Sequence, residues 1–152
     1  MRIGISGASG KIGSYTCKYL SQFMPDVEII GGTRNKSQFI KELENQNSNF
    51  SWRQLDLKVD KNIFDFIYVD AAKGQYHKIL DFYWDQLAPN GIMLFDNIFI
   101  NGWVINLDYP NHRRKHYVLK MRKFLYLLKE QKHFDFSILP VSDGMLLIRK
   151  KD

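Results

Sequence analysis

Short apolar runs alternate with longer stretches of helical period along the whole chain. Arg2–Ser6 reads as a strand, and Lys11–Phe23 as a helix entered through a glycine turn and closed by Pro25. Val27–Gly31 is the next strand. Ser37 is placed to cap a helix running to about Asn45, with Glu42 and Glu44 towards its solvent side. Phe50–Leu57 alternates apolar and polar residues as a third strand. Phe64–Val69 is a nearly continuous apolar run bounded by charges, the pattern of a strand buried on both faces. Gln75–Leu87 has a helical period and stops at Pro89-Asn90-Gly91, after which Ile92–Phe95 is a fifth strand. Asn97–Asn111 is loop-rich, and a long helix follows to about Lys132. Phe134–Leu139, a turn at Ser142-Asp143-Gly144 and Met145–Arg149 form a closing hairpin.

This alternation implies one mostly parallel sheet covered on both faces, an α/β three-layer sandwich. The chain shows no repeat, no low-complexity segment and no linker. Its seam near Val59–Asn62 is short and polar, so residues 1–60 and 61–152 read as halves of a single domain. At 152 residues such a domain buries a core without staples. The single cysteine, Cys17, excludes an internal disulfide and falls in the first helix, where a buried structural thiol is expected. No apolar run approaches the roughly 20 residues that cross a bilayer. Met1-Arg2-Ile3 leads straight into a strand, which leads us to expect a cytoplasmic protein without a membrane partner.

Net charge is +6. The basic residues gather at His112-Arg113-Arg114-Lys115-His116 and continue through Lys120, Arg122, Lys123, Lys129 and Lys132, interleaved with Tyr117, Leu119, Met121, Phe124, Leu125 and Leu128. That is the pattern of an amphipathic helix with a solvated basic face. No nucleic-acid recognition motif accompanies it, so an anionic small ligand suits the charge better.

Two segments carry candidate chemistry. The first is Gly7-x-x-Gly10-x-x-Gly13, which follows a strand and opens a helix. Gly7 allows a tight turn, Gly10 lets backbone N–H groups approach a pyrophosphate, and Gly13 permits close helix–strand packing. Ser9, Lys11 and Ile12 complete the turn, and the helix N-terminus favours an anion. A glycine turn without a ligand is the other reading. Over about the first sixty residues this spacing resembles the extended and atypical short-chain dehydrogenases and the saccharopine-reductase-like proteins. The resemblance implies a dinucleotide ligand. Thr33, Arg34 and Asn35 end the second strand, where a guanidinium suits a 2′-phosphate and so NADP over NAD, although Arg34 reads equally as a surface residue. Asp56-Leu57 matches the family's adenine-contacting position, or is an ordinary turn. Tyr-x-x-x-Lys is absent, so hydride transfer has no support.

The second segment begins at Phe64-Asp65-Phe66-Ile67-Tyr68-Val69-Asp70-Ala71-Ala72-Lys73. With Pro89-Asn90-Gly91-Ile92-Met93-Leu94-Phe95-Asp96-Asn97 and Leu139-Pro140-Val141-Ser142-Asp143-Gly144-Met145, it resembles the caffeoyl-CoA and catechol type of O-methyltransferase over the last ninety or so residues. By that resemblance Asp70, Asp96 and Asn97 would hold a divalent metal, and Lys73 would be the base beside the acceptor hydroxyl. Hard oxygen donors suit Mg²⁺, Ca²⁺ or Mn²⁺. The milder reading of Asp96-Asn97 is a cap on the loop that follows. The acids this class carries on its first and second strands for S-adenosylmethionine are replaced by Gly4-Ile5-Ser6-Gly7 and Thr33-Arg34, which argues against that donor.

Together these features predict an engineered hybrid with strand order 3-2-1-4-5-7-6, a residual NADP(H)-binding loop and no complete catalytic site. A metal-dependent, S-adenosylmethionine-using O-methyltransferase and a structural chimera that binds no cofactor are the alternatives. Oligomeric state is left open.

Overall fold

In the computed structural model, residues 1–33, 35–54, 64–106 and 112–151 are described. Seven strands, β1 (Arg2–Ser6), β2 (Glu28–Thr33), β3 (Phe50–Gln54), β4 (Phe64–Val69), β5 (Leu87–Phe95), β6 (Phe134–Leu139) and β7 (Met145–Lys150), join in one sheet. Their order is β3-β2-β1-β4-β5-β7-β6, as the sequence predicts. β3, β2, β1, β4 and β5 are parallel, and β7 pairs antiparallel with both β5 and β6. Four helices follow: α1 (Lys11–Phe23), α2 (Gln38–Gln46), α3 (Tyr76–Trp84) and α4 (His112–Leu128), with a 3₁₀ turn at Lys73–Gln75 leading into α3.

Apolar residues separate into two cores, one on each face of the sheet. On one face Cys17 of α1 and Ile40 and Leu43 of α2 pack on Ile3, Ile5, Ile29 and Phe50. On the other, Tyr76, Leu80 and Tyr83 of α3 and Val118, Met121, Phe124 and Leu128 of α4 pack on Ile67, Val69, Met93, Phe95, Leu146 and Ile148. Gly13, Cys17 and Ser21 recur at i, i+4, i+8 and give α1 its inward stripe. Ser37 caps α2, its hydroxyl accepting from Ile40 N–H at 3.3 Å.

The helices and strands differ from the pattern reading at several points. β5 begins at Leu87 and runs through Pro89-Asn90-Gly91, with Asn90 at φ 60° and the pairing register shifting between Phe64 and Phe66. A proline that stops a helix is also tolerated beside an irregularity in a strand. α3 ends at Trp84 and α4 at Leu128, each shorter than its periodicity suggests. Finally, β4 is not buried on both faces. Ile67 and Val69 are buried, whereas Phe66 and Tyr68 are half-buried.

Candidate functional site

Strand order reverses between β1 and β4, and open α/β sheets form their ligand crevice at the carboxyl ends of strands at such a switch point. β4 ends in Val69-Asp70 and β5 in Phe95-Asp96, in register at Val69–Phe95, so folding brings Asp70 beside Asp96-Asn97. The turn after β4 carries Lys73 back towards both. Its Nζ lies 3.3 Å from Asp70 Oδ1, 3.1 Å from Asn97 Oδ1, 3.3 Å from the Asp96 carbonyl and 2.9 Å from Tyr76 Oη. One ammonium thus sits where four oxygens from three elements converge.

Two tyrosines that the sequence reading did not single out fix this cluster. Tyr76 donates to the Asp96 carbonyl at 2.6 Å, leaving its oxygen lone pairs for Lys73. Tyr68 donates to Asp96 Oδ2 at 2.7 Å, while Asp96 Oδ1 accepts from Asn97 N–H at 2.7 Å. Burial, then the hydrogen bond and charge of Asp96, raises the Tyr68 phenol's pKa; burial, then the charges of Asp70 and Asp96, raises that of Tyr76. Both remain protonated donors. The available signal was spacing: Tyr68 lies two residues before Asp70 in a strand, and Tyr76 three residues after Lys73 at a helix start.

Asp96 is buried, and Asn97 holds the left-handed conformation at φ 53° that asparagine tolerates. The loop beyond it is tied at both sides. Ile98 and Phe99 N–H groups donate to Gly144 and Asp143 carbonyls, and Arg122 of α4 donates to the carbonyls of Trp103, Val104 and Asn106. Among the described residues no group of three or more His, Cys, Asp and Glu side chains could hold a metal. The oxygens that converge on Lys73 are one carboxylate, one amide, one backbone carbonyl and one phenol.

The glycine turn does not have the geometry of a free phosphate cradle. The N–H groups of Gly7 and Ala8 both donate to the Gly32 carbonyl, at 3.0 and 3.3 Å, and Gly10 N–H donates to Gly7 O at 2.8 Å. A β-carbon on Gly7 would meet the Asp70 carbonyl at 2.4 Å, and one on Gly13 would meet Gly7 O at 2.3 Å. These two glycines are demanded by packing of the chain on itself, and need no ligand to explain them. Ser9, Gly10, Lys11 and Ile12 are exposed at the helix start, where no side chain caps α1. Thr33 is buried, its hydroxyl donating to the Asn35 carbonyl at 2.6 Å and accepting from Trp52 Nε1 at 2.9 Å. Arg34, Asp56 and Leu57 lie outside the described residues.

A family model described as O-methyltransferase matches residues 35–151, and the chain belongs to that family. Among curated proteins it is similar to a protein of Dictyostelium discoideum named probable caffeoyl-CoA O-methyltransferase 2, 28% identical over 91 residues, and to caffeoyl-CoA O-methyltransferase 2 of Zea mays, 32% over 102 residues. These matches take in 60% and 62% of this chain and 38% of each relative, so the chain spans about two fifths of their length. Among solved structures, the methyltransferase PaMTH1 of Podospora anserina, bound to SAH, is 25% identical with a TM-score of 0.77, over 99% of this chain and 72% of that one. The O-methyltransferase TomG of Streptomyces achromogenes, in complex with SAM, shares the fold at a TM-score of 0.75 and 18% identity, over 99% of this chain and 73% of that one.

These findings correct the hybrid reading. The family match starts at residue 35, well inside the stretch assigned to a dehydrogenase, and the methyltransferase fold extends over the whole chain. Nothing supports a dehydrogenase segment, a chimera, an engineered origin or an NADP-binding loop. The physical reason for the error is that both families enter their first helix through a glycine turn, and that turn's spacing reflects strand–helix packing as much as ligand contact. The expectation against S-adenosylmethionine also stands against the structure of PaMTH1, which is bound to SAH.

Proposed function

We propose that this chain acts as an O-methyltransferase that moves the methyl group of S-adenosylmethionine to a hydroxyl of a small acceptor, with a divalent cation at Asp70, Asp96 and Asn97. The observation that carries this reading is the convergence of Asp70, Asn97 and the Asp96 carbonyl on a single cationic atom, Lys73 Nζ. Family membership supports it.

The donor set fits a hard cation. Its atoms are all oxygens, and one positive charge already sits among them. Asp70, Asp96 and Asn97 would hold the ion, which supplies Lewis-acid chemistry to an acceptor hydroxyl when bound. In its neutral amine form Lys73 would take up the hydroxyl proton. Tyr76 anchors both Lys73 and the Asp96 backbone, and Tyr68 fixes the Asp96 carboxylate. The fit to the methyl donor is thinner. Ser6 and Thr33 end β1 and β2 without a carboxylate, and the Thr33 hydroxyl is already engaged.

Calorimetric titration with Mn²⁺ and with S-adenosylmethionine, alongside mass-spectrometric detection of a methylated catechol, tests this reading. Asp70→Asn should remove cation binding and methylation together. Tyr68→Phe, which leaves the ligands intact but frees the Asp96 carboxylate to turn, should weaken the cation by roughly 10–100-fold. A folded chain that neither binds the donor nor forms product would overturn the proposal.

A further inference from the structure

Bonding between the β5 and β7 chains does not stop where β5 ends. Phe95 faces Leu146, so a regular antiparallel ladder would set Asn97 against Gly144 and Ile98 against Asp143. Instead the Ile98 N–H donates to the Gly144 carbonyl at 3.0 Å and the Phe99 N–H to the Asp143 carbonyl at 2.9 Å. The β5 side thus carries one residue more than the β7 side, and Asp96 and Asn97 together stand opposite Met145. An extra residue of this kind re-aims the side chains beside it. Asn97 absorbs it by taking the left-handed conformation, φ 53°. Its amide oxygen then lies 3.1 Å from Lys73 Nζ.

The displaced pairing is held by packing on one glycine. Gly144 is buried at φ +78° in the turn between β6 and β7, and its N–H donates to the Val141 carbonyl at 2.9 Å. A β-carbon there would lie 2.4 and 2.6 Å from Cδ2 and Cε2 of Phe99. The Phe99 ring therefore occupies the space that any side chain at residue 144 would need. Ile98, between Asn97 and Phe99, is fully buried. Slipping the pairing by one residue turns side chains to the opposite face, which would take Ile98 out of the core and the ring off Gly144. Register and the conformation of Asn97 are fixed together.

We propose that Phe99 and Gly144 are positioning residues for Asn97: the ring seated on the glycine holds the amide oxygen where it converges with Asp70. What Asn97 does there rests on the cation reading above, whereas how it is held does not.

The side-chain amide resonance of Asn97 in the whole metal-free chain, assigned by its loss in Asn97→Asp, tests this together with the calorimetric Mn²⁺ affinity. Gly144→Ala should displace the ring, move that resonance and weaken Mn²⁺ by roughly 10–100-fold. Phe99→Leu should move the resonance as well. Combining the two should bring both readouts closer to wild type than Gly144→Ala alone, because the ring that the new methyl strikes is gone. If Gly144→Ala does not fold, Phe99→Leu carries the test by itself. Ser37→Ala loosens a helix on the face of the sheet opposite the core that Phe99 packs against, so it should lower stability and leave both readouts in place. An Asn97 resonance unmoved in Phe99→Leu, or moved equally by Ser37→Ala, would overturn the proposal. A wild-type chain that binds no Mn²⁺ while the resonance responds as described would sustain this inference and overturn the cation reading.

Discussion

At Gly7 a β-carbon would lie 2.4 Å from the Asp70 carbonyl, and the residue's φ of +82° is one that L side chains rarely adopt. At Gly13 the obstacle is Gly7's own carbonyl at 2.3 Å. Both clashes are with backbone, which cannot swing aside. Gly7→Ala should therefore cost at least the roughly 1–3 kcal/mol of a sparsely populated backbone conformation, and Gly13→Ala should be at least as damaging. At Gly10 the nearest atom would be the Gly7 carbonyl oxygen 3.2 Å away, and the position is the N-cap of α1, where replacing glycine by alanine costs about 1 kcal/mol or less. Urea titrations should rank Gly10→Ala well above the other two in stability. Equal losses at all three would mean that the turn is constrained by something beyond its own packing. The three glycines look alike in the sequence, and their separate reasons appear only once β4 lies against the turn.

Cys17 gives a second test at the same scale. It is fully buried, and that burial pushes the thiol's pKa from 9.0 up to about 12. The folded pKa is the higher one, so this contribution to stability is complete below pH 9 and is lost as pH rises from about 9 to about 12. Within that window the cysteine should add up to about 1.4 kcal/mol of lost stability per pH unit. Comparing the wild-type slope with that of Cys17→Ala removes the other titrating groups from the measurement. Identical slopes would contradict the burial argument.

Among the elements, α2 offers the cleanest single change. The Ser37 hydroxyl satisfies the Ile40 N–H, and removing it in Ser37→Ala should cost about 1 kcal/mol. A thermal shift indistinguishable from zero would show that water replaces the cap freely. This helix was legible because a capping serine precedes an apolar stripe, and β1, α1, β4 and the closing hairpin were legible from period and turn residues. β5 was not read in full. Pro89-Asn90-Gly91 signals a break, and only the pairing of Leu87 with Phe64 across the sheet shows that the strand has already begun. The open face of β4 was hidden for a related reason. Phe66 and Tyr68 are apolar enough for a doubly buried strand, and whether a helix covers them is a tertiary fact.

At the scale of the molecule, the convergence of Asp70, Lys73, Asp96 and Asn97 was readable because their motifs fall at two neighbouring strand ends and the turn after one of them. Tyr68 and Tyr76 escaped notice because nothing local distinguishes a tyrosine that holds a carboxylate from one that fills a core. The supposed seam misled because similarity to two families was read as two origins. Yet β1 and β4, one from each side of that seam, pair in register from Ile3–Phe66 to Ser6–Val69, and the Arg2 N–H donates to Asp65 at 2.8 Å. Gly7 and the Asp70 carbonyl are in close contact at its far end. Separating the halves would expose the middle strands of the sheet, with their hydrogen bonds and both apolar faces. We therefore expect residues 1–152 to unfold as one unit, with calorimetric and van't Hoff enthalpies equal. Fluorescence of Trp52, beside β2, and of Trp84, on the opposite face, should report the same midpoint in single-tryptophan variants. Two separated transitions would show that the sheet's centre contributes less to cohesion than its hydrogen-bonded register implies.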